Sequence, residues 1–196
     1  MTTLSRGTVE KCYAFWEHTF RKGGILDLSE GYYDGCHTLS IEEAQARKFD
    51  YLLNQADCKE GTRILDIGCG NGSLLLAAKK RGAIVAGLTL SLEQASYCQS
   101  QGLDVRVCNY RNLPKKWLTS FDAVIANGSM EHFVQRNDVA NGRANEIYKE
   151  FFEVVGSALD PKSSTQKLIN TTIHLNTDAP GQTQGPNSKG PSATRR

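Results

Sequence analysis

The chain has 196 residues, and its 23 Lys and Arg against 21 Asp and Glu give a formal net charge of +2. This length suits one domain with a buried core, and because the basic residues are spread along the chain, we expect no nucleic-acid partner. The absence of an apolar run of about eighteen residues and of a signal-peptide core favours a cytoplasmic protein. The six cysteines include no C-x-x-C pair, so we expect reduced thiols and no metal site.

Two helices are predicted ahead of the first strand. Apolar residues recur at helical spacing over residues 5–21. We interpret this helix as packing onto the domain, with a substrate-entrance or membrane-surface helix as the alternative. Residues 26–36 are polar and aromatic with two glycines, which is typical of an ordered functional loop. Thr38 or Ser40 can cap the next helix, which ends near Asp57, and Glu43 is placed to complete a capping box from Ser40. The predicted buried stripe of this helix is Ala44, Phe49, Leu52, Leu53 and Ala56.

Strands and helices follow one another from residue 63 onward. The predicted strands are 63–66, 83–89, 104–108, 121–126 and 166–175. The predicted helices are 74–81, 91–101 and 144–159. The predicted apolar face of the last helix is Ile147, Phe151, Phe152, Val154, Val155 and Leu159. This alternation predicts an α/β fold, a Rossmann-like, doubly wound and mostly parallel sheet.

The composition changes after residue 175. Residues 176–196 contain no Val, Ile, Leu, Met or aromatic residue, which predicts a disordered tail. We therefore divide the chain into N-terminal helices with a covering loop (1–60), a Rossmann-like domain (61–175) and the tail (176–196).

A glycine-rich turn, Leu-Asp-Ile-Gly-Cys-Gly-Asn-Gly-Ser over residues 65–73, joins the first strand to its helix. Gly68, Gly70 and Gly72 can adopt positive φ and let a ligand approach the backbone, next to the N–H groups of the helix N-terminus. The dinucleotide fingerprint G-x-G-x-x-G would place its third glycine at position 73, where this chain has Ser73. With Asp66 closing the strand, this spacing suits a cofactor whose carboxylate and ribose lie near the turn, and S-adenosyl-L-methionine has both.

Three segments together carry a resemblance to a known family. They are LDIGCG at 65–70, GLTLSLEQ at 87–94 and MEHF at 130–133. The chain resembles, over roughly residues 26–175, the S-adenosylmethionine-dependent methyltransferases of the cyclopropane-fatty-acid synthase and mycolic acid cyclopropane synthase group. The second segment is the most discriminating, because most nucleotide-binding relatives place an acid at the end of that strand, where this chain has Thr89.

The resemblance implies a set of site residues. It assigns adenosine binding to Thr89 and Gln94, and Glu131 to the catalytic site as a ligand of the bicarbonate base. His132 is interpreted as a structural neighbour of the site. Glu30 and Thr171 stand where the family has two other ligands of that base, so the cofactor site is better preserved than the ring-closing chemistry. The full predicted cofactor set is Ser29, Asp66, Gly68, Gly70, Gly72, Thr89, Leu90, Gln94, Tyr110 and Arg111.

The function implied is S-adenosylmethionine-dependent methyl transfer to a lipid acyl chain or a hydrophobic small molecule, with peripheral membrane contact. The alternative is a truncated, non-catalytic remnant that still binds the cofactor. A third hypothesis, an NAD-dependent oxidoreductase, is disfavoured by Ser73 and Thr89. The family has two further strands that the tail replaces here, so we expect a partner or a second copy in a homodimer to cover the fifth strand.

Overall fold

The computed structural model describes residues 27–172, so the predicted helix at 5–21 and the predicted tail lie outside the described residues. The helices are α1 (Ile41–Gln55), α2 (Ser73–Lys80), α3 (Leu92–Ser100), α4 (Arg136–Ala140) and α5 (Ala144–Ala158). The strands are β1 (Arg63–Ile67), β2 (Ile84–Thr89), β3 (Asp104–Val107), β4 (Ala123–Asn127) and β5 (Lys167–Thr171).

The first described helix begins as its sequence predicts. The Ser40 hydroxyl accepts a hydrogen bond from the Glu43 backbone N–H (3.2 Å), and the Glu43 carboxylate accepts one from the Ser40 N–H (2.8 Å). This capping box satisfies two N–H groups that the helix itself leaves without partners. The predicted buried stripe of α1 is confirmed, because all five of its residues are buried.

The five strands form one sheet in the order β3-β2-β1-β4-β5, and every neighbouring pair is parallel. β1 lies at the centre, paired with β2 on one side and β4 on the other. The predicted doubly wound α/β fold is therefore confirmed. In such sheets the chain changes direction at the central strand, and this opens a crevice beside the carboxyl ends of the strands.

Helices cover both faces of the sheet. On one face, Phe151 and Val155 of α5 pack against a cluster that includes Leu65 of β1. On the other face, α1 and α2 pack against a cluster that includes Ile64. Adjacent residues of β1 thus serve opposite layers, as the alternation of side chains along a strand requires. Both layers fix β1, and with it the turn that follows, in place.

Two details differ from the sequence-based prediction. Phe152 was predicted to lie on the buried face of α5, but it is 52% exposed. The helix buries Phe151, Val155 and Ala158, which recur at i, i+4 and i+7, and a residue one position along points about 100° away. The short helix α4 was not predicted, because its five residues, RNDVA, have no apolar periodicity.

Candidate functional site

A cavity lies at the carboxyl ends of the central strands. Its volume is about 240 Å³. β1, β2 and β4 each deliver the segment that follows them to this edge, as the strand order requires. The lining residues are Ile67, Gly68, Gly70, Leu88, Thr89, Leu90, Ser91, Gln94, Cys108, Asn109, Tyr110, Arg111, Gly128, Ser129, His132, Phe133 and Gln135.

Seven of the ten predicted cofactor residues line the cavity, namely Gly68, Gly70, Thr89, Leu90, Gln94, Tyr110 and Arg111. Asp66, Gly72 and Ser29 are not among the lining residues. The structure therefore brings most of the predicted set together around one crevice. The roles of all ten residues stay predictions.

Asp66 is the most unusual polar group near this crevice. It is the fourth residue of β1 and only 2% exposed. Its Oδ1 atom has no hydrogen-bond partner among residues 27–172. Burial, with a smaller contribution from the charge of Asp27, raises the pKa of Asp66 to about 7. A buried acceptor without a partner costs stability unless a ligand supplies a donor.

The three glycines of the turn have positive φ, as predicted, at 87°, 53° and 77° in chain order. Only one of them leaves space beside the backbone. A Cβ at Gly68 would lie 2.6 Å from the Ser129 Cβ, and one at Gly72 would lie 2.7 Å from a methyl group of Leu103. At Gly70 a Cβ would meet no atom of the described residues within 4 Å. The protein's own packing accounts for Gly68 and Gly72, whereas the open space at Gly70 fits a ligand.

Thr89 and Gln94 form a polar pair at the end of β2. The Thr89 hydroxyl donates to Oε1 of Gln94 at 2.5 Å and accepts from the Ser91 backbone N–H at 3.2 Å. The Ser91 hydroxyl in turn accepts from the Gln94 N–H at 3.2 Å, which confirms it as the N-cap of α3. These bonds orient the Gln94 amide through its oxygen, and the residue lines the cavity with its Nε2 donors unused within residues 27–172.

An aromatic cluster lies beside the cavity, with Tyr110 and Phe133 among the lining residues and Phe151 packed against both rings. The ring of Tyr110 lies 4.6 Å from that of Phe133 and 5.5 Å, edge to face, from that of Phe151. The Arg111 guanidinium lies 4.8 Å from the centre of the Tyr110 ring, and its Nε donates to Glu150 at 2.6 Å. Arg111 is thus held between a ring and a carboxylate. This cluster is apolar with one cation at its edge.

The predicted catalytic residue and its neighbour lie in a 3₁₀ turn after β4, Met130–His132. His132 lines the cavity, whereas Glu131 is not among the lining residues. The assignment of Glu131 stays a prediction, and His132 lies closer to the cavity than the sequence interpretation placed it. Sequence reasoning also missed Ser129, whose buried hydroxyl donates to the carbonyl of Ile67 at 2.7 Å and ties the turns after β1 and β4 together.

Membrane spans and metal clusters are both absent from the described part of the chain. In residues 27–172 no helix is both long enough and apolar enough to cross a bilayer. The same residues contain no group of three or more His, Cys, Asp or Glu that is arranged to hold a metal ion.

A doubly wound parallel sheet with a glycine turn and a polar pair at its switch point defines a Rossmann-like α/β protein. The family profile described as Mycolic acid cyclopropane synthetase matches residues 25–186. The chain belongs to this family, which confirms the resemblance found in its sequence motifs.

Individual relatives agree with this assignment. A probable fatty acid methyltransferase of Mycobacterium tuberculosis is 38% identical over 106 residues, which cover 50% of this chain and 24% of that protein. The cyclopropane-fatty-acyl-phospholipid synthase of Escherichia coli K12 is 33% identical over 128 residues, which cover 63% of this chain and 30% of that protein. The chain spans less than a third of the length of these relatives.

A solved structure shows the same fold. It is the mycolic acid cyclopropane synthase CmaA1 complexed with SAH and CTAB, with a TM-score of 0.50 and 27% sequence identity. The match covers 62% of this chain and 46% of that chain.

Proposed function

We propose that the chain binds S-adenosylmethionine in the crevice beside β1 and transfers its methyl group to a lipid acyl chain or another hydrophobic acceptor. The observation that carries this proposal is the open space at Gly70, which lines the cavity, together with the buried Asp66 carboxyl of β1, whose Oδ1 has no partner among residues 27–172. Membership of the family and the S-adenosylhomocysteine (SAH) in the CmaA1 complex support the same cofactor.

The residues present fit this cofactor. Thr89 and Gln94 would hold the adenosine through the donors and acceptors of their bonded pair, with Leu90 and Tyr110 as apolar contacts. The open backbone at Gly70 and the carboxyl of Asp66 would accommodate the amino-acid part. When bound, S-adenosylmethionine supplies an electrophilic methyl group on a positively charged sulfur.

The chain's own contribution to the chemistry is positioning and exclusion of water. The ring of Phe133 lines the cavity, and its packing against Tyr110 and Phe151, with ring centres within 5.5 Å of one another, holds it in place. A rigid apolar wall keeps an acceptor in one orientation, which lowers the entropic part of the barrier. Aromatic faces also stabilise positive charge that develops on a carbon acceptor.

The first test of this proposal is binding. Calorimetric titration with S-adenosylhomocysteine should show micromolar affinity in the wild type and a loss of at least about tenfold in Gln94→Ala, because buried hydrogen bonds of this kind contribute about 1–2 kcal/mol. Ser96→Ala is the matched control, since Ser96 lies on the same helix but is exposed, with its hydroxyl bonded to the carbonyl of Leu92. Wild-type protein that does not bind the ligand contradicts the proposal.

The second test is turnover. Protein incubated with methyl-labelled S-adenosylmethionine and vesicles of cis-unsaturated phospholipid should transfer label to the lipid fraction. Binding without transfer to any lipid or hydrophobic acceptor would favour the non-catalytic alternative. Co-sedimentation with the same vesicles checks the proposed peripheral membrane contact, and sedimentation velocity checks the proposed homodimer.

A further inference from the structure

The hydroxyl of Ser129 connects two segments that extend past the paired part of the sheet. The pairing of β1 with β4 ends at Asp66 and Ile125, so Ile67 and the turn after β4 lie beyond it. Ser129 is 8% exposed and lines the cavity, and its Oγ donates to the carbonyl of Ile67 at 2.7 Å. One side-chain hydrogen bond thus extends the contact between these two strands past their last paired residues.

The segment that this hydroxyl holds leads directly into the glycine turn. On its other side the turn is held by β2, because the backbone N–H groups of Gly68 and Cys69 donate to the carbonyl of Leu88 at 2.8 and 2.9 Å. The start of the turn is therefore anchored from both neighbouring strands. Gly70, the residue beside the open space, lies only three positions after Ile67. The position of Gly70 therefore depends on both anchors.

A network of hydrogen bonds from β5 holds Ser129 itself in place. The backbone N–H of Gly128 donates to both the carbonyl and the hydroxyl of Thr171, each at 3.1 Å. The Thr171 hydroxyl in turn donates to Oδ1 of Asn127 at 2.8 Å. Gly128 has a φ of 65°, which a residue with a side chain would adopt only with strain. The backbone just before Ser129 is thus fixed, and the contacts run from β5 through β4 to β1.

The Ser129 hydroxyl is placed to act on a ligand through the turn. A hydroxyl has one hydrogen to donate, and here the Ile67 carbonyl accepts it. Such a bond between neutral groups makes only a small net contribution to global stability. It does restrict the turn to one position, and a site that is already formed binds more tightly because binding then costs less ordering of the protein.

We propose that Ser129 is a positioning residue for the cofactor, because its bond to Ile67 holds the glycine turn in the conformation that keeps the space at Gly70 open. This inference rests on the proposed function and adds to it a residue from a different strand. Its effect is specific to one part of the ligand. The amino-acid part, proposed to lie at Gly70, should depend on Ser129. The nucleoside, proposed to lie against Thr89 and Gln94 on β2, should not.

Two ligands separate these parts of the cofactor. S-adenosylhomocysteine carries both the nucleoside and the amino-acid part, whereas methylthioadenosine keeps the nucleoside and the sulfur and lacks the amino-acid part. Calorimetric titration of the full chain with both ligands measures how much the amino-acid part contributes to affinity. The same two titrations of Ser129→Ala measure how much of that contribution depends on the hydroxyl.

We expect wild-type protein to bind S-adenosylhomocysteine at least about tenfold more tightly than methylthioadenosine, because the amino-acid part carries charged groups that can form hydrogen bonds. Ser129→Ala should lose about fivefold affinity for S-adenosylhomocysteine, the factor that one neutral hydrogen bond implies, and less than about twofold for methylthioadenosine. Retained binding of methylthioadenosine also shows that the variant is folded.

Thr62→Val is the matched control, because it removes a buried hydroxyl at the other end of the same strand. Thr62 is 7% exposed and directly precedes β1, and its hydroxyl accepts from the Lys59 backbone N–H at 3.1 Å. The affinities of this variant for both ligands should match those of the wild type. Thr171→Val removes the hydroxyl that supports Gly128, so it should weaken binding of S-adenosylhomocysteine more than that of methylthioadenosine, and it carries the test if Ser129→Ala does not fold.

Each other outcome overturns the inference. An equal loss of affinity for both ligands in Ser129→Ala would mean that the hydroxyl only maintains the fold. Unchanged affinity for S-adenosylhomocysteine would mean that the turn keeps its position without the hydroxyl. A wild type that binds both ligands equally well gains nothing from the turn. In these three cases the proposed function stands, because the wild type binds the ligand, whereas a wild type that binds neither ligand removes the proposed function as well.

Discussion

Asp66 is a buried carboxyl group, and burial raises its pKa from 3.8 to about 7. Its neutral form therefore suits the folded protein, while the unfolded chain ionises it readily. The free energy of unfolding therefore falls as the pH rises from about 4 to about 7, because in this range Asp66 ionises in the unfolded chain but stays protonated in the folded protein. The negative charge of Asp27 adds a smaller contribution in the same direction.

Asp66→Asn removes this ionisation and keeps the shape of the side chain. The variant should gain on the order of 2 kcal/mol of unfolding free energy relative to wild type between pH 5 and pH 8. It should also lose affinity for S-adenosylhomocysteine. Urea unfolding at the two pH values measures the first effect, with Asp104→Asn, at an exposed position, as the control. A difference from wild type that does not grow with pH would show that Asp66 is already ionised in the folded protein.

The glycine turn offers a matched pair of substitutions. Gly68→Ala places a Cβ 2.6 Å from that of Ser129, so it should cost at least about 2 kcal/mol of stability through the clash and the positive φ. Gly70→Ala meets open space and should cost only about 1 kcal/mol for its left-handed φ of 53°. Thermal or urea unfolding measures both values.

For ligand affinity we expect the opposite order, with Gly70→Ala causing the larger loss. Gly70→Ala fills space that the cofactor is proposed to use, so the folded variant should bind S-adenosylhomocysteine at least about tenfold more weakly. If Gly70→Ala binds the ligand as well as the wild type does, the open space beside that residue is not part of the cofactor site.

Among the elements, α5 contacts the site through the ring of Phe151 and through an ion pair. Glu150 accepts from Nε of Arg111 at 2.6 Å, and Arg111 lies over the ring of Tyr110. Glu150→Gln should weaken cofactor binding several-fold by releasing Arg111, while stability changes by less than about 1 kcal/mol because the pair is partly exposed. Glu153→Gln is the control on the same helix, since that carboxylate pairs with the exposed Lys149 at 3.9 Å. Equal affinities for the two variants would contradict a positioning role for Glu150.

The elements themselves were largely predictable from local chemistry. Caps at Ser40 and Ser91 fixed two helix starts, and apolar runs fixed the strands to within a few residues. Phe152 was misplaced because apolar character alone does not say which of two adjacent residues faces the sheet. The helix α4 was missed because a single polar turn carries no periodicity.

The site was predictable where the turn chemistry is local, as at Gly70, Thr89 and Gln94. It was not predictable where distant segments meet. The close approach of Ser129 to Gly68 joins the turns after two different strands, and the contact between Gln45 and the loop at Ser29 depends on how α1 packs. Neither contact has a signature in the sequence, because both arise from tertiary packing.

At the scale of the whole molecule, an ion-pair cluster stabilises the sheet at the amino ends of its central strands, away from the site. Arg63, the first residue of β1, donates to Asp122 at 2.6 Å and to Asp160 at 2.9 Å. The Arg63 guanidinium, with its hydrogen bonds, lowers the pKa of Asp122 to about 2. The ionised Asp122 therefore stabilises the fold above about pH 4, and this contribution is lost as the pH falls toward 2.

Asp122→Asn should lower the unfolding free energy by about 1–2 kcal/mol at pH 7, a value reduced by the partial exposure of Arg63. The difference from wild type should shrink as the pH falls from 4 to 2. Binding of S-adenosylhomocysteine should be unchanged, because the cluster lies at the far ends of the strands. Urea unfolding over this pH range measures the change in stability, and calorimetric titration with S-adenosylhomocysteine measures the affinity. A loss of affinity would show that the two ends of the strands are coupled.

The strand order also determines when the crevice forms during folding. β1 and β2 are close in sequence, but the pairing of β1 with β4 brings together Arg63 and Asp122, which are 59 positions apart. Closing so long a loop is entropically slow, so we infer that β4 docks late in the folding reaction. The crevice between β1 and β4 is then absent from the transition state, and a ligand bound there slows unfolding while leaving the folding rate unchanged.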